Sequence, residues 1–273
     1  MGSEVRKKEK YIGKEIPGNI EGMKEKFFIE ICEERWYPYF DKIKRGYTNE
    51  QKTKPPSLRE KDTGQFAIRF TYHTNKIEGS TLTLRETADL LEKGITPSRR
   101  PVEDVRETEA HKEIFCDMLA HGGDISLKLV LQWHKKLFQY TKHDVAGMTR
   151  KHSIGISGSS FEPPTPIELD NLIRNFFAWY RKNKGGFHPV HLAAFVHLKF
   201  VTIHPFADGN GRILRLFANF VLKKHGYPML IIDYAHRTGY YNALERSQIN
   251  GDETIFATWF FRRYINEYRK YIK

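Results

Sequence analysis

Cysteine is nearly absent: the chain has two among 273 residues. Cys32 and Cys116 stand far apart, with no CxxC pair and no histidine at ligand spacing, so a disulfide framework and a zinc site are excluded as organising features. Both thiols read as small buried or half-buried side chains. Long apolar runs are missing too. The stretch from Leu192 to Val201 is short and interrupted by histidine and lysine, and MGSEVRKKEKY at the start lacks the apolar segment of a signal peptide. The expectation is a cytoplasmic chain with no membrane partner. Also lacking are a GxxxxGK[ST] loop, a glycine fingerprint behind a strand, internal repeats and low-complexity tracts.

What the chain has in excess is positive charge, formally +12. Such a balance raises nucleic acid or an anionic ligand as partner. In KEKYIGKE, GMKEKFF and LREKD, however, lysine and arginine alternate with glutamate, as on solvated helix faces rather than along one basic stripe. Nucleic acid is therefore disfavoured. A hydrophobic fraction of 40% is enough for a substantial core, and the length suits one domain with an extension or two small domains.

Helical signals dominate. Thr83 and Glu86 have capping-box spacing ahead of an apolar run that stops at Gly94, and Thr165, Pro166 and Glu168 repeat that logic before ELDNLIRNFFAWYRK. Ser126 can cap LKLVLQWHKKLF, and VEDVRETEAHKEIF has helical periodicity. At least seven helices are expected, in an all-α fold. The exception is 152-HSIGISGSSFEPP-164, where β-branched residues alternate with Gly and Ser, the pattern of one short hairpin. The first residues, 1–64, include the loop-like KTKPPS and read as a helical extension to a domain over 65–273.

The segment 204-HPFADGNGRILR-215 concentrates the chemistry. HLAAFVHLKFVTIH upstream reads as a buried helix ending near His204, where Pro205 disfavours further helix. RILRLFANFVLKKH downstream reads as a second helix, stopped at Gly226. The loop between them opens onto a helix N-terminus. Gly209 and Gly211 allow successive N–H groups to turn towards one point, where the helix dipole favours an anion such as phosphate. Asp208 is a hard oxygen ligand suited to Mg²⁺ beside phosphate, Arg212 and Arg215 can lean over the same anion, and His204 can take a proton near neutral pH. Phe206 is expected to point inward and fix the loop.

These twelve residues match HxFx(D/E)GNGRxxR at every defined position, and the chain resembles the Fic family from about Gln65 onward. That resemblance implies an all-α Fic fold, a helical bundle with one β-hairpin, the flap, beside the active-site loop and a catalytic core over about 100–273. It implies transfer of AMP from ATP, with Mg²⁺, to a Ser, Thr or Tyr hydroxyl of a target protein docked at the flap. By resemblance His204 is the base, Asp208 holds the metal, Gly209, Asn210 and Gly211 cradle the phosphates, and Arg212 and Arg215 offset their charge. Relatives that phosphorylate carry lysine at the place of Gly211, so glycine favours nucleotidyl transfer. The segment 157-SGSSFEPPTP-166 resembles the flap, whose tip lies over the nucleotide, with Ser157, Gly158, Ser159 and Ser160 as the implied nucleotide contacts. Tyr240 and Tyr241 stand where similar proteins hold adenosine, and Gln248 where many have asparagine.

A second motif lies at 74-TNKIEG-79, which fits [S/T]xxxE[G/N] and resembles the inhibitory helix of Fic proteins that carry their own brake. The helix spans about 65–79, with Thr74, Glu78 and Gly79 as its motif residues and Glu78 pairing with Arg215. An autoinhibited adenylyltransferase is the implied reading, with self-modification and a homodimer compatible with it. Alternatives are removal of AMP, transfer of another nucleotide such as UMP, and a non-catalytic nucleotide- or DNA-binding module. His197, two turns before His204, reads as a core histidine, with tuning of the base as the alternative.

Overall fold

Proline, capping side chains and glycine divide the chain into helices. The computed structural model describes residues 8–273; residues 1–7 of the expected extension lie outside the described residues. Eleven α-helices occur among those described: α1 (Ile20–Arg35), α2 (Tyr37–Thr53), α3 (Pro56–Ile77), α4 (Leu84–Lys93), α5 (Val102–Ala120), α6 (Leu127–Phe138), α7 (Pro166–Asn183), α8 (Pro189–Ile203), α9 (Asn210–Lys224), α10 (Arg237–Asn250) and α11 (Glu253–Glu267). The Thr83–Glu86 capping box forms, and Gly94 ends α4 in the left-handed region at φ 68°. Thr165 N–H donates to Glu168 Oε2 at 2.8 Å, and Ser126 Oγ accepts from Leu129 N–H at 3.3 Å. Each such cap is worth about 1 kcal/mol.

Burial sets the order of packing. Helices α8 and α9 each bury twelve of their fifteen residues, so neither has a solvent face and the pair forms the axis of the bundle. Around them, α7 and α11 pack on α8, while α3, α5 and α6 pack on α9. Helix α2 lies against α11 through Phe40, whose ring meets Phe261 and Tyr264 edge-on. Cys32, Phe40 and Ile43 share one core cluster with α8 and α9, and α3 runs unbroken through residues 64 and 65.

Two expectations are corrected. Among the described residues 152–164 contain no strand; a turn closes there, with Ser159 N–H donating to Ile156 O at 3.1 Å. Pro163 and Pro164 supply no N–H to the returning arm, so it has little with which to build a ladder. Cys32 is buried as expected, but Cys116 is exposed, because the buried stripe of α5 runs through Glu107, His111, Ile114, Phe115 and Met118 and passes it by. No helix among the described residues is long and apolar enough to cross a membrane.

Candidate active site

His204 is the C-cap of α8, with φ 49° and ψ 59°, a left-handed conformation that non-glycine residues seldom adopt. Its N–H still bonds Phe200 O at 3.1 Å, and Pro205 then turns the chain away. The ring Nδ1 lies 3.2 Å from Val201 O. A carbonyl only accepts, so Nδ1 carries the proton and Nε2 keeps the lone pair. Desolvation lowers the imidazole pKa against the opposing effect of the Val201 carbonyl, which favours the neutral, proton-accepting form.

The loop behind His204 is held from within. Phe206 is fully buried, with its ring stacked 3.9 Å from that of His134. Asn210 spans the loop, its Oδ1 accepting from Phe206 N–H at 3.0 Å and its Nδ2 donating to Phe206 O at 2.8 Å. Gly209 has φ 78°, and a Cβ there would come within 2.6 Å of the Phe138 ring. Glycine is required on both counts. Asn210 thus shapes the turn with its side chain, leaving the first N–H groups of α9 without intrahelical partners, as at any helix start.

Around this N-terminus stands an ionic network. Asp208 Oδ1 accepts from Arg212 Nη2 at 3.1 Å, and Oδ2 accepts from Lys142 Nζ at 2.5 Å. Arg212 Nη1 pairs with Glu107, whose other oxygen accepts from Thr141 Oγ1 at 3.0 Å. Burial pushes the Asp208 carboxyl upward, but Arg212 and Lys142 outweigh it and hold the group below its ordinary value. A 140 Å³ cavity is lined by five carboxylates, Glu78, Glu103, Asp104, Glu107 and Asp208, with Lys142 and Arg212 as its cations.

Arg215 points the other way, towards α3. Its Nη2 donates to Glu78 Oε1 at 2.5 Å and to Thr74 O at 3.2 Å. Glu78 is the C-cap of α3, and Gly79 follows at φ 101°. Gly211 lies directly beneath this pair. A Cβ at 211 would overlap Glu78 Oε1 and stand 2.9 Å from Arg215 Nη1. The carboxylate of the α3 motif therefore rests on the first turn of α9, where an anion is favoured.

The family model described as Fic/DOC family matches residues 124–222, which contain His204, Asp208, Arg212 and Arg215. Over these residues the chain carries a Fic/DOC family domain. It is 34% identical over 183 residues to the protein adenylyltransferase Fic of Aedes aegypti, covering 65% of this chain and 36% of that protein. The Drosophila melanogaster protein of the same name is 34% identical over 184 residues, with 64% and 36% covered. The chain thus spans about a third of the length of these relatives. A Fic domain containing signaling protein from Bacteroides thetaiotaomicron superposes with a TM-score of 0.77 at 26% identity, covering 86% of this chain and 96% of that one. A Fic-1 fragment from C. elegans has the same fold, with a TM-score of 0.73 at 22% identity over 94% and 77%.

Within the Fic frame the remaining expected residues separate. Tyr240 is buried, its hydroxyl 2.8 Å from His197 Nε2, so its ring packs in the core. Tyr241 is exposed and donates to Ile77 O at 3.2 Å, tying α10 to the last turn of α3. Gln248 Nε2 lies 3.4 Å from Thr202 Oγ1, in a groove with Phe176, Trp179 and Lys199. Gly158 has φ 76°, Ser157 is exposed, and Ser159 Oγ and Ser160 N–H both donate to Glu245 Oε1, at 3.0 and 2.6 Å. His197 is a core histidine, stacked on Phe256 and pushed down to about 3 by burial.

Sequence reasoning missed Glu107, His134, Lys142, Arg150 and Glu245. His134 bridges segments, with Nδ1 accepting from Gly147 N–H at 2.9 Å and Nε2 donating to Asp208 O at 3.0 Å. A histidine on the buried stripe of α6 was the only local signal for it. The donor set suits a nucleotide with a divalent cation. Arg212 Nε and Arg215 Nε are buried donors without a protein partner, and Asp208 offers one hard oxygen ligand. No cluster of three or more His, Cys, Asp or Glu that could hold a metal ion occurs among the described residues.

Proposed function

We propose that this chain is a protein adenylyltransferase that carries its own brake. ATP is the co-substrate, and the acceptor is a Ser, Thr or Tyr hydroxyl of a target protein docked along 152–164. The observation that carries this reading is the placement of the Glu78–Arg215 pair on the first turn of α9, beside a histidine whose Nε2 keeps its lone pair. An anion site, a base and an occupying carboxylate are thereby joined.

The chemistry follows from these groups. His204 Nε2 takes the proton from the acceptor hydroxyl, whose oxygen forms a bond to the α-phosphorus while the bond to the β-phosphate oxygen breaks and pyrophosphate leaves. The N–H groups of α9 face the phosphates, and Arg212 offsets their negative charge. Asp208 would hold Mg²⁺, which supplies further charge neutralisation when bound. Arg215 is available to the outer phosphates only when Glu78 releases it. Glu78 thus opposes the productive placement of the nucleotide.

The deciding experiment offers each labelled nucleoside triphosphate with Mg²⁺ to the parent and to Glu78→Gly, followed by mass spectrometry of modified hydroxyl residues. An AMP increment that rises in Glu78→Gly supports the proposal. A UMP or phosphate increment, or no modification by either protein, overturns it.

A further inference from the structure

Arg150 belongs to no helix and to neither motif, yet it is only 4% exposed. Its side chain reaches three places in the chain. Nε donates to His204 O at 2.8 Å, Nη1 to His152 O at 3.0 Å and Nη2 to Pro164 O at 2.5 Å. Its backbone N–H adds a fourth tie, to Pro205 O at 2.9 Å. His152 and Pro164 are the two ends of the flap segment, and His204 is the residue in the strained left-handed conformation.

A guanidinium has five N–H donors in a rigid planar fork, so fixing one bond direction fixes the others. Lysine could reach one of these carbonyls at a time. A buried cation spent wholly on backbone carbonyls is a costly way to hold a loop, because each bond must offset desolvation of the charge. Its geometric result is that neither end of the flap can shift without pulling on the carbonyl of His204.

We infer that Arg150 is a positioning residue that locks both ends of the flap to His204, so that a segment docked on the flap is held in register with the base. The inference rests on the reading of His204 as base and of 152–164 as the docking edge. Arg150 acts through His204 and touches no reacting atom. The flap tip is anchored separately, through Ser159 and Ser160 on Glu245, so Arg150 governs the root of the flap and Glu245 its turn.

Amide hydrogen exchange on the full chain tests this without any turnover. In Arg150→Met, 152–164 and 203–209 should lose protection together by about tenfold, while the interiors of α3, α8 and α9 keep theirs. Arg150→Lys should give an intermediate loss, since an ammonium cannot span three carbonyls, and the His204 ring resonances should shift while those of His197 stay. Loss in only one of the two segments, no loss in either, or a uniform loss in both variants would overturn the inference. Where transfer is measurable, in the Glu78→Gly background, Arg150→Lys should raise the KM for the hydroxyl acceptor more than that for ATP. If Glu78→Gly transfers nothing, the proposed function fails while the exchange result still decides the role of Arg150.

Discussion

Glu78 and Arg215 meet at 2.5 Å, but from unequal positions: the Arg215 side chain is 2% exposed and that of Glu78 is 25%. Arg215 is enclosed by α3, α9 and Tyr240, whereas Glu78 sits at a helix end beside Gly79. The movable partner is therefore the carboxylate. Glu78→Gly should raise self-modification with labelled ATP by at least about tenfold, a change of roughly 1.4 kcal/mol in the equilibrium that exposes Arg215. It should also lower the melting temperature, since an enclosed guanidinium loses its counter-ion.

His204→Ala should reduce transfer by roughly 10²- to 10⁴-fold, the range for loss of a general base, while ATP binding by calorimetry stays near that of the parent. Because desolvation lowers the pKa of His204, its neutral form persists below the ordinary histidine value of about 6.5. The rate should accordingly be level through neutral pH and fall only on the acid side of that value. A fall already beginning above pH 7 would contradict this environment for the ring.

Five other buried histidines contribute to the acid sensitivity of the fold. Burial pushes His111, His191 and His197 down to about 3, and His134 and His188 down to about 4. Between those values and about 6.5 the unfolded chain binds more protons than the folded one, so stability rises with pH across that window. Each ring that titrates in this way contributes up to about 1.4 kcal/mol per pH unit. Thermal unfolding at constant ionic strength should show a melting temperature that drops steeply from pH 6.5 to 4.5 and is nearly flat from 7 to 8.

Gly211→Ala separates parting of the Glu78–Arg215 pair from opening of the proposed nucleotide site. The added methyl overlaps Glu78 Oε1 and crowds Arg215, so the pair must part, but the methyl then occupies the surface proposed for the phosphates. The expected outcome is loss of nucleotide affinity by about tenfold or more, with no gain in transfer. Calorimetry with ATP, beside the same titration of Glu78→Gly, measures both effects.

Lys142 already supplies a cation to Asp208 Oδ2, and both side chains are about one-third exposed. Lys142→Met should free that oxygen and strengthen binding of a Mn²⁺ probe, read by electron paramagnetic resonance, by roughly two- to fivefold, as befits a partly exposed pair worth up to about 1 kcal/mol. Asp208→Asn should remove the gain. An unchanged Mn²⁺ affinity in Lys142→Met would mean that the lysine does not compete for this ligand.

The helix stops and the loop between α8 and α9 were legible because they are local. Thr83 with Glu86, Thr165 with Glu168, and Gly94 act within a turn of their own helix, and twelve consecutive residues contain the loop, His204 and the start of α9. Hairpin pairing was not legible, since alternation at Ile154 and Ile156 says nothing about whether a second arm can donate N–H groups. Nor was the division of the tyrosine pair. Adjacent residues on a helix point about 100° apart, so either Tyr240 or Tyr241 could have faced the core until α11 and His197 enclosed the former.

By itself, then, the sequence determined the helices and the composition of the turn that opens α9, because capping, glycine conformation and helix polarity depend on near neighbours. Tertiary structure decided what surrounds that turn. Glu78 reaches Arg215 across 137 residues, Glu107 reaches Arg212 across 105, and Lys142 reaches Asp208 across 66. Contacts at such separations form only when packing of α3, α5 and α6 around α9 offsets the entropy of closing the chain between them, and no local pattern specifies which charges will then meet.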